Sequence, residues 1–141
     1  PGGPVASWRD ELIEASKTKA EREEEELARH RKRVQEALHT AETAFGLAAA
    51  ALEYSRDRLV DKGQTPQLSA ETDAHALELL SHKLRVELVR DSAVIKVVFG
   101  EGKPREFDFA KDRHIAPADV EEYVGRRAVE LVKSAQKSSP W

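Results

Sequence analysis

The sequence predicts an α+β protein in which a long, coiled-coil-like N-terminal helix precedes a short helix, a three-stranded antiparallel meander and a C-terminal helix. Residues 7–62 contain no proline and one glycine, and their apolar residues return every three or four positions, the period of a helix. From Leu84 onward, apolar and charged residues alternate instead, as they do in strands with one buried face. Helical spacing returns over residues 117–137. A chain of 141 residues is expected to form one domain, with or without an appendage.

The composition excludes several classes of function. The 23 Lys and Arg residues against 26 Asp and Glu residues give a net charge of −3, so no broad basic field draws in nucleic acid or an anionic membrane. The chain has no cysteine, which excludes disulfides, thiolate metal sites and cysteine nucleophiles. No apolar run approaches the ~20 residues of a membrane span, and no signal segment opens the sequence. We therefore expect a cytoplasmic protein.

The first helix has a start signal at Ser7. Residues 1–6 carry no apolar periodicity and are expected to be a cloning remnant or disordered. Ser7 and Asp10 have the spacing of a capping box, in which each side chain bonds the backbone N–H of the other residue. We predict that residues 7–62 form a long helix or a helical hairpin. Gly46 and the alanines around it have little side-chain volume, which allows another helix to pack closely. The alternative explanation is that alanine has the highest helix propensity. Whether the helix bends at Gly46 is left open.

The long helix carries a heptad pattern, which is typical of helices that pair with another helix. One apolar series recurs every seven residues from Ile13, and a second series starts at Leu38, so the seam is complete only from Val34 to Leu59. Each large side chain of the seam contributes about 1.5 to 3 kcal/mol on full burial, and the rest of the chain is too small to cover them all. The predicted interface with a second copy consists of Ile13, Leu27, Val34, Leu38, Ala41, Phe45, Ala48, Leu52 and Leu59.

The remaining chain is predicted to form a small α-β-β-β-α head over residues 67–137, with a tail over residues 138–141. Gly63 and Pro66 end the long helix, because glycine suits the left-handed residue after a helix and proline prevents its continuation. The patterns divide the head into a helix from Ser69 to about His82, strands over residues 84–89, 94–99 and around 107–109, and a helix opened by Pro117.

One dense basic run is the candidate nucleic-acid site. It contains Arg29, Arg31, Lys32 and Arg33, and a basic helical stretch of this kind can contact phosphates or an acidic partner. The acidic run Glu23–Glu26 precedes it and cancels most of its field. The pattern favours a solvated face, or an antiparallel partner that matches acid to base, over a phosphate site.

No catalytic or metal site is predicted. Glu36 and His39 have the Glu-x-x-His spacing of di-iron bundles, but such a site needs a second copy of the motif and further carboxylates. None of the histidines stands in a pattern with serine and aspartate that indicates nucleophilic catalysis. We expect no cofactor.

The sequence therefore predicts a non-enzymatic protein–protein interaction module, a homodimeric coiled-coil adaptor, scaffold or chaperone-like protein. Its expected partners are a second copy of itself and another protein, with nucleic acid and membrane not expected. The alternatives are a nucleic-acid-binding accessory protein that uses residues 29–33, and a helical metal-binding protein.

Overall fold

A computed structural model describes residues 7–141 of the chain. The predicted character of residues 1–6 lies outside the described residues. The described part contains three α-helices, five strands and one 3₁₀ turn, Arg90–Ser92. The elements in chain order are α1 (Trp8–Ser16), α2 (Lys19–Asp61), β1 (Gln67–Ala70), β2 (Ala74–Leu79), β3 (His82–Val89), β4 (Val94–Phe99), β5 (Arg105–Asp108) and α3 (Pro117–Ser138).

The described chain divides into two compact units. The first comprises residues 7–33 and the second Val34–Trp141, so α2 contributes residues to both. None of the helices in residues 7–141 combines the length and the apolar character that a bilayer-crossing segment requires.

In the first unit, the predicted helix is two helices. The Ser7 capping box is present, since Asp10 N–H donates to Ser7 Oγ and Ser7 N–H donates to Asp10 Oδ2, each at 3.3 Å. After Ser16 the backbone turns extended at Lys17, and Thr18 Oγ1 accepts a bond of 3.1 Å from Glu21 N–H at the start of α2. A helix-capping side chain at this position starts a new helix where the apolar period alone predicts continuity.

In the second unit, α2 ends where the sequence predicts. Gly63 has a φ of +81°, its N–H donates to the Val60 carbonyl, and Gln64 N–H donates to the Leu59 carbonyl, both at 2.9 Å. This pair of bonds is a Schellman motif, which satisfies the last carbonyls of a helix and requires a left-handed residue. The predicted stop at Gly63 is confirmed.

The sheet has five antiparallel strands in the order β1-β2-β3-β4-β5, not three. The predicted strands in the 84–109 region correspond to β3, β4 and β5, and the α+β class is confirmed. The predicted short helix from Ser69 to His82 is wrong, because this segment forms β1, β2 and the turn into β3. Leu68 faces Leu77 across β1 and β2, and Leu77 faces Leu84 across β2 and β3.

Pairing with the strand that follows it in the chain decides the structure of this segment. All six residues of β2 pair with β3, and Leu77 and Leu79 are buried two positions apart. The turn between the strands places Leu80 at a φ of +56°, a conformation that leucine rarely adopts. Glycine and asparagine usually mark such hairpin turns, so the sequence here carries no hairpin signal.

The core of the second unit lies between one face of the sheet and the two helices. The Phe45 ring of α2 meets the His75 ring of β2 edge to face, with 5.2 Å between centroids, and Tyr123 of α3 meets Phe107 of β5 in the same way at 5.5 Å. The largest fully buried side chains of this core are Leu52, Leu77, Leu79, Leu84, Ile95, Leu131, Val86, Val97, Val120 and Val124.

The opposite face of the sheet is charged. Glu87 of β3, Lys96 of β4 and Glu106 of β5 stand side by side in register, and Lys96 Nζ lies 3.7 Å from Glu106 Oε1. Opposite charges across neighbouring strands are favourable, and they keep this face in water. Both helices of the second unit therefore pack on the other face.

A candidate binding groove between α2 and α3

A groove of about 830 Å³ runs along the outer surface of the second unit between α2 and α3. Its α2 side extends from Leu47 to Lys62, which at 1.5 Å per residue is about 22 Å, or four helical turns. Its α3 side extends from Glu121 to Gln136, and Trp141 also lines it. The groove is therefore long enough for a short helix or an extended peptide.

Four small residues belong to the lining of the groove. Ala50 and Ala51 of α2 and Gly125 and Ala128 of α3 leave little side-chain volume between the two helices. A Cβ atom built on Gly125 would contact nothing within 4 Å, so the space beside this residue is open. Low side-chain volume on facing helices lets a third backbone approach closely.

Large apolar side chains stand along the groove and are exposed. Tyr54 is 74% exposed, Val129 51% and Trp141 44%. In the second unit, the other large apolar side chains that are similarly exposed are Val60 and Leu80, which do not line the groove. The exposed apolar surface of this unit is thus concentrated at the groove, and contiguous patches of this kind commonly mark interaction sites.

The charges at the groove are mainly basic. Among residues 7–141, the lining side chains of Arg58, Lys62 and Lys133 have no ion-pair partner. Of the two lining carboxylates, Glu122 is paired with Arg126 at 2.8 Å and Glu121 is not paired within the described chain. The charges available to a ligand at the rim are therefore three cations and one anion.

The groove lining contains no serine–histidine pair within the described chain. Within the described chain its lining includes no histidine, and the Ser55 hydroxyl donates to the Ala51 carbonyl at 2.8 Å. A serine nucleophile needs a neighbouring base to accept its proton. The arrangement suits recognition of an apolar surface.

The predicted interface residues lie in three different environments. Ala41, Phe45, Ala48, Leu52 and Leu59 are buried in the core of the second unit, where the chain's own sheet and α3 cover them. Val34 and Leu38 are half-buried against the same core. Ile13 and Leu27 belong to the first unit and are 62% and 48% exposed. Contact of these positions with a second copy stays a prediction. Its physical reason was the exposure of apolar side chains, and this reason applies to Ile13 and Leu27.

The basic run lies on α2 in the first unit. Arg29, Arg31 and Lys32 are exposed and Arg33 is half-buried. Arg29 Nη2 lies 3.7 Å from Glu26 Oε2, so part of the positive charge of the basic run is neutralised within the helix. Nucleic-acid binding by this run stays a prediction.

The Glu-x-x-His pair has no further ligands beside it. Glu36 and His39 are both exposed on α2. In the part of the chain that the structure describes, no group of three or more His, Asp or Glu side chains is placed to hold a metal ion. A site would need ligands from outside the described residues.

The groove was not predicted from the sequence. Its lining residues Leu47, Tyr54 and Val129 lie beside the apolar stripes that the helices bury. The available signal was a second apolar row on α2, in which Leu47, Ala51 and Tyr54 follow helical spacing next to the heptad seam. An apolar row that is not needed for the core indicates a surface that contacts something else.

Comparisons with protein-family models, with curated proteins and with solved structures found no match. The function is therefore inferred from the geometry of the groove and from the charge pattern of the helices.

Proposed function

We propose that the protein is a non-enzymatic protein–protein interaction module, a cytoplasmic adaptor or scaffold, and that the groove between α2 and α3 receives an amphipathic helix of a partner protein. The observation that supports this most strongly is the exposure of Tyr54, Val129 and Trp141 around one apolar groove. Tryptophan and tyrosine are enriched among the residues that dominate binding energies at interfaces.

The shape of the groove favours a helix as the occupant. A helix bound in a groove contributes apolar residues at positions i, i+3, i+4 and i+7, which cover two turns, and the groove extends over about four turns. The small residues Ala50, Ala51 and Gly125 leave room for these side chains between α2 and α3. The bound helix would form a third helix of the layer that covers the sheet.

The rim charges specify the chemistry of that helix further. Arg58, Lys62 and Lys133 are free to pair with carboxylates, whereas Glu121 is the one free acid at the rim within the described residues. A partner helix with acidic residues flanking its apolar stripe is complementary to this rim. Opposite charges at an interface raise the association rate and select among apolar partners of similar shape.

The proposal can be tested before any partner is identified. A library of displayed helical peptides is selected for binding to the full chain and counter-selected against the Val129→Asp variant. We expect the enriched peptides to carry apolar residues at helical spacing with acidic flanks, and Val129→Asp to weaken their binding at least about tenfold, or about 1.4 kcal/mol.

Val60→Asp is the matched control. Val60 is also a helical valine, is 53% exposed against 51% for Val129, and lies outside the groove lining. Peptides should bind Val60→Asp and the unaltered chain equally well. Enrichment of no peptide, or equal weakening by the two variants, would rule out the groove as the docking site.

A further inference from the structure

A second surface with a defined charge pattern surrounds Leu27 on α2 in the first unit. Residues three and four positions away on a helix share a face, so Glu23, Glu24, His30 and Arg31 flank Leu27. All five side chains are exposed. The two residues before Leu27 on this face are glutamates, and the two after it are a histidine and an arginine. We call these five residues the Leu27 face.

α1 does not cover this face. The contact between the two helices of the first unit runs through Lys17, whose Nζ lies 2.9 Å from Glu25 Oε1, and through Arg22, whose Nη1 lies 3.2 Å from Glu14 Oε1. Glu25 is two residues from Leu27, which places it about 160° around the helix. Leu27 accordingly remains 48% exposed.

We propose that a second copy of the chain binds the Leu27 face in antiparallel orientation, with the two-fold axis passing at Leu27. In such a pair, a residue n positions before Leu27 faces the residue n positions after Leu27 in the second copy. Glu23 and Glu24 then lie at the same level along the helix pair as Arg31 and His30 of the second copy, and the two Leu27 side chains meet at the axis. Each contact occurs twice, because a two-fold interface repeats every pair.

The charges favour this orientation over the parallel one. A parallel pair in register places Glu23 against Glu23 and Arg31 against Arg31, and like charges at an interface are unfavourable. The charged groups are also available. Within residues 7–141, Glu24 and Arg31 form no ion pair, and the contact of Glu23 is a 3.8 Å pair with an exposed lysine, Lys19. A second copy can therefore pair with them without breaking a buried interaction.

The proposal is independent of the groove between α2 and α3. Of the interface residues expected from the heptad pattern it keeps Leu27, and it adds the charged residues around Leu27. The buried seam residues of α2 take no part in it. Because exposed ion pairs are screened by salt, the dissociation constant of the dimer should rise by about tenfold or more between low salt and about 0.5 M NaCl.

Cross-linking tests the orientation in the full chain. The chain has no cysteine, so an introduced cysteine is unique. A mixture of Glu23→Cys and Arg31→Cys chains should form a mixed disulfide under mild oxidation, while each variant alone should not cross-link. Two copies of residue 23 in the antiparallel pair are about 12 Å apart along the helix, beyond the roughly 7 Å that a disulfide can bridge between Cα atoms.

Charge reversal tests the pairing by sedimentation equilibrium. Glu23→Lys with Glu24→Lys, and separately His30→Glu with Arg31→Glu, should each weaken the dimer at least about tenfold. An equimolar mixture of the two variants should recover the dimer, because the chain with only basic residues on this face then meets the chain with only acidic residues on it. The control variants Glu21→Lys and Lys32→Glu reverse single charges off the Leu27 face and should leave the dimer mass unchanged.

Several outcomes would overturn the proposal. These are a monomer mass for the unaltered chain at all concentrations, disulfides between identical positions, and equal effects of the face variants and the controls. Peptide binding in the groove should be the same for all of these variants, so a failure here is distinct from a failure of the proposed function.

Discussion

Leu52 provides the sharpest test of how α2 is used in the fold. It belongs to the heptad seam that predicts a dimer interface, yet its side chain is completely buried within one chain, between α2 and the sheet. We expect Leu52→Ala to destabilise the monomer. If the seam bound only a second copy, the same substitution would instead weaken the dimer.

The magnitude follows from the burial. Leu→Ala removes three carbon groups, and at about 0.8 kcal/mol for each buried group the lost transfer free energy is about 2.4 kcal/mol. Incomplete collapse of the cavity adds to this, so the free energy of unfolding should fall by about 3 kcal/mol, within the range measured for buried leucines. With a urea m value of about 1.5 kcal/mol per M, the midpoint of unfolding falls by about 2 M.

The assay is urea unfolding followed by far-UV circular dichroism at several chain concentrations. Val60→Ala is the control on the same helix, and because Val60 is 53% exposed it should cost less than about 1 kcal/mol. The Leu52→Ala loss should be the same at every concentration. A loss below about 1 kcal/mol, or one that changes with concentration, would refute the assignment of Leu52 to the monomer core.

Two further predictions concern local structure. Gly63→Ala should destabilise the chain by about 1 kcal/mol in urea unfolding, because Gly63 has a φ of +81°. Gly46→Ala should instead stabilise the chain by up to about 1 kcal/mol, because Gly46 is helical and a Cβ added there has nothing within 4 Å. Effects of the same sign at both glycines would contradict this. The hydrogen bond from Lys17 and the positive charge of Lys17 hold the pKa of the Glu14 carboxyl below its ordinary value. The stabilisation from this contact is therefore present above the unfolded-state pKa of Glu14, and it is lost as the pH falls through the folded-state pKa. Lys17→Ala should raise the pKa of Glu14 in a carboxyl NMR titration, and an unchanged value would show that Lys17 is not the cause.

Local interactions explain which parts of the fold could be predicted. The capping box at Ser7, the helix stop at Gly63 and the start of α3 at Pro117 each depend on bonds or steric effects within a few residues. The strands β3, β4 and β5 were predictable for a similar reason, since their alternation and the turn residues between them lie within one continuous stretch.

The segment that became β1 and β2 was not predictable in this way. Its apolar residues are also spaced for a helix, and its turn at Leu80 has no glycine or asparagine. Pairing with β3 and burial of Leu77 and Leu79 outweigh the local preference. The candidate groove was missed because it requires two helices that are far apart in sequence to lie side by side.

The order of amino acids alone establishes the start of α1, the end of α2, the residues that are apolar enough to be buried, and the acid-to-base order around Leu27. What covers the apolar seam of α2 depends instead on contacts between distant parts of the chain. The same side chains can be buried by a second copy or by a sheet of the same chain, since the hydrophobic effect depends on the area removed from water and not on its source. The sheet of the second unit covers Phe45 and Leu52, and the apolar surface that remains exposed there borders the groove between α2 and α3.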